Sequence, residues 1–167
     1  KTSYVFDILG EIDELSSRIG IATSFDTKET ITSDLRHIQV KLQDINSILA
    51  TYEKHKRKNL PLVTETDIEM LEKNIDFFSE NTPALTNFIL PGVTTTDSYL
   101  HLSRSQTRKI ERMLWKFIEN HSIEMKNKTI VNVLDNIILR YFNRLSDFFF
   151  AAARYVCYKN GKEDCFV

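Results

Sequence analysis

The chain has 167 residues, 42% hydrophobic and 27% charged, which suits one ordinary folded domain and excludes a disordered chain, a collagen or a disulfide scaffold. Twenty-two Lys and Arg against 23 Asp and Glu leave a formal charge of −1, so no whole-molecule field draws the protein to nucleic acid or to an anionic membrane. Any anion site must be local.

Four glycines and three prolines are few for this length, and Pro61, Pro83 and Pro91 sit close together, leaving long tracts free of helix breakers. From Tyr4 to about Ala22, Val5, Leu9, Ile12, Leu15 and Ile19 recur at the spacing of one helix face and predict a first helix. Ile31, Leu35, Ile38, Leu42, Ile45, Leu49 and Tyr52 step by three and four and predict a second. The basic run Lys54 to Lys58 comes next, either a phosphate patch or a solvated helix end where cations complement the dipole. Thr66-Asp67-Ile68-Glu69 reads as a capping box opening a short third helix through Leu71, Ile75 and Phe78 that stops before Pro83. Ala84 to Thr96, with Phe88-Ile89-Leu90 before Pro91-Gly92, is expected to be an apolar loop packing inward, with Asp97 capping the next helix.

A fourth helix is predicted from about Ser98 to Asn120, turning Leu100, Ile110, Leu114, Phe117 and Ile118 to the core. The fifth, from about Thr129 to Lys159, is apolar on most of its circumference and ends at Gly161, a suitable left-handed C′ residue. A helix apolar on so many sides needs neighbours on so many sides. The expected fold is therefore all-α, a five-helix antiparallel bundle forming a single domain over 1–167, with no strand pattern that competes. No apolar run reaches the roughly 18 residues needed to span a bilayer. Cys157 and Cys165 belong to no ligand cluster, which favours a reducing compartment. Starting at Lys1 without a methionine, inside a helical pattern, the sequence reads as part of a longer chain.

Three polar patterns could carry chemistry. At about 100° per residue, His101, Arg104, Arg108, Glu111 and Arg112 fall on one arc of the fourth helix. Such a row of guanidinium forks suits a polyphosphate, or is a solvated face. On the first helix Phe6, Gly10, Asp13, Ser17 and Gly20 place small residues around a single carboxylate, which suggests close approach of another backbone at Asp13 and a cation to pair it, with Arg104 or Arg108 the candidates. On the fifth, Asn136, Arg140, Asn143, Asp147 and Arg154 share one stripe, either a structural network or the wall of a site. The histidines (His37, His55, His101, His121) lack zinc spacing, there is no Glu-x-x-His pair, and no P-loop, dinucleotide or nucleophile-elbow motif occurs.

Three segments in order, Asp13-Glu14-Leu15-Ser16-Ser17 with Gly20, Phe88 to Gly92 with Leu100-His101, Arg104, Arg108, Glu111 and Arg112 after it, and Asn143 to Asp147 with Phe150, Ala153 and Arg154, strongly resemble the PduO-type ATP:corrinoid adenosyltransferases. Leu35, Ile38-Gln39 and Leu42 to Ala50 resemble the family's second helix. The resemblance implies a homotrimer with sites between subunits, binding ATP, Mg²⁺ and cobalamin. Cobalt(I) would attack the ribose 5′ carbon, giving adenosylcobalamin and triphosphate. It further implies that Arg104 and Arg108 neutralise the triphosphate, that Asp13 pairs with Arg104 across the subunit boundary, and that Glu111 and Asn143 contact the nucleotide. Phe88 would press on the lower corrin face and favour a four-coordinate cobalt(II) species that is easier to reduce, with His101 as a further corrinoid contact. A reductase and a cobalamin-dependent acceptor enzyme would be partners. The compartment would be mitochondrial in a eukaryote and cytoplasmic otherwise.

Departures stand beside these implications. The family's N-terminal Gly- and Thr-rich ATP loop has no counterpart in the 167 residues, and only Lys1 matches the lysine that comes after it. Val93 stands where a second glycine is usual, and Lys109 replaces an arginine, keeping charge but losing the fork. The aromatic Phe166 is a candidate cover for the corrin, and the insertion around Asn120 to Asn132 is peripheral. A non-catalytic carrier of corrinoid or nucleotide, descended from the same family, is the competing reading.

Overall fold

The computed structural model describes residues 4–28, 30–51, 63–121 and 137–167. Among these residues five helices carry the fold: α1 (Tyr4–Phe25), α2 (Thr32–Thr51), α3 (Glu65–Glu80), α4 (Thr95–His121) and α5 (Leu139–Lys159). The bundle is ordered by contact, with α1 between α2 and α4, and α5 between α4 and α3. No helix among the described residues is long and apolar enough to cross a membrane. The expected basic run at Lys54 to Lys58 and the expected start of the fifth helix at Thr129 lie outside the described residues.

Periodicity explains the core. Ile8, Ile12, Leu15 and Ile19 of α1, Leu35, Ile38, Leu42 and Ile45 of α2, and Leu100, Ile110, Leu114 and Phe117 of α4 are fully buried. Helix α5 buries 14 of its 21 residues, so it must be enclosed on several sides. Helix α3 docks on it through aromatic contacts, Phe78 stacking on Tyr155 at 4.8 Å between centroids and meeting Phe148 edge-on at 5.6 Å.

Helix ends are closed by side chains. Asp26, itself buried, accepts from the Ile31 amide at 2.9 Å and the Thr32 hydroxyl at 3.1 Å, closing the entry to α2. The capping box of α3 lies two residues earlier than expected: the cap is Thr64, and Asp67 stands at N3, accepting from the Thr64 amide at 2.8 Å. Asp97 likewise acts from N3 of α4, where its carboxylate accepts from the amides of Gly92 at 3.1 Å, Val93 at 3.4 Å, and Thr94. At the far end of α5, Gly161 has φ +68° and donates to the Tyr158 carbonyl at 2.9 Å, while the Lys162 amide reaches the Cys157 carbonyl at 3.0 Å. Gly161 thus takes the C′ position expected of it, and the two bonds make a Schellman closure.

Two expectations fail in the 82–92 region. The loop does not pack inward: Phe88 is 84% exposed, and Leu85 and Leu90 are also exposed. Nor is the protein strand-free, because β1 (Ile89–Leu90) pairs antiparallel with β2 (Cys165–Phe166), in register Ile89 with Phe166 and Leu90 with Cys165. Two residues per strand are too few for any alternation to show in sequence. Both cysteines are free, and burial pushes the Cys157 thiol up to about 12, which makes it inert at neutral pH.

Candidate functional site

Arg104 and Phe88 are brought to one opening by tertiary structure alone, sixteen residues apart in sequence. A cleft of about 650 Å³ is lined by Leu85, Thr86, Asn87, Phe88 and Ile89 from the loop, Arg104 from α4 and Phe150 from α5. The Arg104 guanidinium carbon sits 6.0 Å from the centre of the Phe150 ring, which orients the cation over an aromatic face. Its Nε is buried and has no acceptor among the described residues. A buried N–H without a partner is costly, so this atom is set up for an acceptor brought by a ligand or a second subunit.

His101 lies one layer behind. It is buried, meets Phe150 edge-on at 6.0 Å, and does not line the cleft. Burial, and to a lesser degree the Arg104 charge, holds its imidazole below the ordinary histidine range against the opposing pull of Asp97 and Asp164. The ring is neutral at physiological pH.

Glu111 and Asn143 are brought together elsewhere, Asn143 Nδ2 donating to Glu111 Oε1 at 3.2 Å. They line a second cleft, of about 250 Å³, with Trp115, Arg140 and Arg144 on its walls. Arg108 and Arg112 are exposed on α4 and line neither cleft. The polar stripe of α5 divides among separate partners: Arg140 pairs with Glu65 at 2.6 Å, Arg144 with Glu72 at 2.9 Å and Asp147 at 3.1 Å, and Arg154 with Asp164 at 2.9 Å. It is not one network. Lys1 and Asn136 lie outside the described residues.

Asp13 is exposed on α1, and within the chain it accepts from Asn46 Nδ2 of α2 at 2.6 Å. Neither Arg104 nor Arg108 forms an ion pair with it in the single chain, among the described residues. Gly10 has nothing within 4 Å of where a side chain would begin, whereas Gly20 faces Gln39 at 3.4 Å. The small-residue face is thus half used by α2 and half open. Asn46 was the missed partner, and its signal was a polar residue set between Leu42 and Leu49 on the apolar face of α2. Lys109, which departs from the family pattern, bridges to Glu11 of α1 at 2.6 Å.

Among the described residues no group of three or more His, Cys, Asp or Glu could hold a metal ion. Residues 1–156 match the family described as cobalamin adenosyltransferase, and the chain belongs to that family. It is 36% identical to the corrinoid adenosyltransferase of Bacillus subtilis (strain 168) over 168 residues, covering 98% of this chain and 80% of that protein. Over 169 residues it is 34% identical to the human corrinoid adenosyltransferase MMAB, covering 98% of this chain and 63% of that protein. A phenylalanine-to-histidine variant of the PduO-type ATP:corrinoid adenosyltransferase from Lactobacillus reuteri, complexed with cobalamin and ATP, superposes with a TM-score of 0.83 at 33% identity, covering 100% of this chain and 85% of that one. An arginine-to-lysine variant of the same enzyme, complexed with ATP, gives 0.82 at 32% identity, covering 100% and 89%.

Proposed function

We infer that this protein transfers the 5′-deoxyadenosyl group of ATP to a reduced corrinoid. The cobalt(I) electron pair forms the bond to the 5′ carbon as the carbon–oxygen bond to the triphosphate breaks, and triphosphate carries the electrons away. The observation that carries the reading is that one cleft is lined both by Arg104, whose buried Nε has no partner among the described residues, and by the exposed Phe88. The corrinoid itself is the nucleophile, so the chain needs to supply only position and charge.

Arg104 and Arg108 neutralise the triphosphate as it leaves, and Lys1 adds to that field. Glu111 and Asn143, already hydrogen-bonded to one another, contact the nucleotide. Phe88 forms an apolar wall for the corrin that excludes an axial water and so favours the four-coordinate cobalt(II) form, while His101 backs that wall through Phe150. Mg²⁺ would be held by the triphosphate oxygens, sharing the neutralisation with the arginines, since the protein offers no cluster of its own among the described residues. Asp13 supports a homotrimer in which it pairs with Arg104 of a second copy: it is exposed, flanked by the open Gly10, and among the described residues its carboxylate is taken only by a neutral amide. A reductase that delivers cobalt(I), and an acceptor for the product, are the partners this chemistry calls for.

Incubation with ATP, Mg²⁺ and cobalamin under strong reductant should yield adenosylcobalamin. Arg104→Ala should lower kcat/KM by the equivalent of about 2–4 kcal/mol, the loss typical of one preorganised donor to a developing anion. Wild-type turnover in that variant overturns the role given to Arg104. Cobalamin binding without ATP consumption by the unmodified protein replaces the enzyme with a carrier. A monomer at micromolar concentration in sedimentation rules out the shared site.

A further inference from the structure

Phe88 is 84% exposed, so packing does little to fix its ring, yet its backbone is held on both sides. Its carbonyl accepts from the Val167 amide at 3.0 Å and its own amide donates to Asn87 Oδ1 at 2.9 Å. Asn87 Nδ2 in turn donates to the Val167 carbonyl at 2.8 Å. With the β1–β2 pair alongside, the loop is tied to the 162–167 segment and must move with it.

Both of those segments are anchored by one side chain. Arg154 of α5, only 8% exposed, donates from Nε to Asp164 Oδ2 at 2.9 Å, and its Nη2 reaches the same oxygen at 2.9 Å and the Pro83 carbonyl at 2.6 Å. Pro83 stands five residues before Phe88, and Asp164 immediately precedes β2. A guanidinium buried on a helix that is otherwise apolar on this side is a poor source of stability, because its desolvation offsets the attraction. What the fork does supply is geometry: Nε and Nη2 lie in one rigid plane and together fix the direction of both segments, whereas an ammonium presents its donors from one rotatable point on a flexible stem.

We propose that Arg154 and Asp164 are positioning residues for the adenosyl transfer, a clasp that fixes where Phe88 stands relative to Arg104. The clasp rests on the reading of Phe88 as the corrin-facing wall. Arg154 touches neither substrate in this arrangement and acts only through the loop.

The test compares Arg154→Lys, Asp164→Ala and Phe88→Ala in the full chain with cobalamin and ATP. It reads the four-coordinate cobalt(II) spectrum of the ternary complex, kcat, ATP affinity by calorimetry, and thermal melting. Arg154→Lys keeps the charge and loses the fork; it should lose the four-coordinate signal and about tenfold in kcat while ATP affinity stays within about twofold, as expected when a wall shifts and the nucleotide site does not. Adding Arg154→Lys to Phe88→Ala should cost nothing further, since the clasp works through that one ring. Asp164→Ala carries the same expectations from the more exposed partner and serves if Arg154→Lys does not fold. Full signal and turnover in either clasp variant, with Phe88→Ala impaired, overturns the clasp alone, as does an additive double variant. Full signal in Phe88→Ala overturns the reading of Phe88 and the clasp together.

Discussion

Phe148 and Phe88 are the same side chain in opposite circumstances. Phe148 is fully buried in α5 against Phe78 and Phe149, whereas Phe88 is 84% exposed on a loop. The helical core is held by undirected burial, which tolerates local adjustment and dominates stability. The 82–92 region is held by directed bonds instead: the clasp at Pro83, the pairing at Ile89 and Leu90, and Asp97 collecting the amides of Gly92, Val93 and Thr94. Directed bonds fix a position without covering a surface, and an uncovered surface in a fixed position is what a binding wall requires.

Four measurements break or sharpen that contrast. Phe148→Ala should cost about 3–5 kcal/mol in chemical denaturation, as a large cavity in a close-packed core does. A loss below about 1 kcal/mol would show that the aromatic layer between α3 and α5 collapses around the gap. Asp97→Ala removes a cap and leaves three amides at the start of α4 without their acceptor, and should cost about 2 kcal/mol. Unchanged stability there would mean that the loop is not held from this side.

The third measurement concerns pH. Burial lowers the pKa of His101, so the unfolded chain takes up a proton before the folded chain does. The stability contributed by neutral His101 is therefore present above the unfolded-state pKa, near about 6.5, and is lost as pH falls toward the lower folded-state value. The stability difference between the unmodified protein and His101→Gln should shrink between about pH 7 and pH 5. A difference that grows over that window contradicts the buried, neutral ring. Smallest is the effect of Phe88→Ala on stability, expected within about 0.5 kcal/mol because the ring leaves little apolar contact behind. Its turnover should nevertheless fall. A loss of several kcal/mol would return Phe88 to the core.

The parts legible in sequence were those with local signatures. The helix faces of α1, α2 and α4 came from apolar spacing, and Gly161 from the demand for a left-handed residue after the last turn of α5. The cap of α3 was misplaced by two residues because Thr64 and Thr66 both precede acidic residues at suitable spacing, and only the backbone decides between them. Of the candidate site, Arg104 and Phe88 were both named, but that they face one cleft is a fact of loop position. Phe150 was named only as part of a motif and Asn46 not at all, and that they flank Arg104 and Asp13 is likewise a fact of packing between helices.

The sequence by itself determined which of the described segments are helical and which faces they bury, because each of those depends on residues within a few turns of one another, and the order of three motifs along the chain determined which family they resemble. Tertiary structure decided that the 82–92 loop turns its apolar side chains outward, that residues 89–90 pair with 165–166, and that Arg154 spans Pro83 and Asp164. The loop's pairing partners and the Arg154–Pro83 contact lie more than seventy residues apart in the chain. Two paired residues produce no periodicity, and a buried arginine looks the same in sequence whether it holds a loop or faces water. What fixes such contacts is the packing of α5 against its neighbours, which brings the segments within reach of one fork.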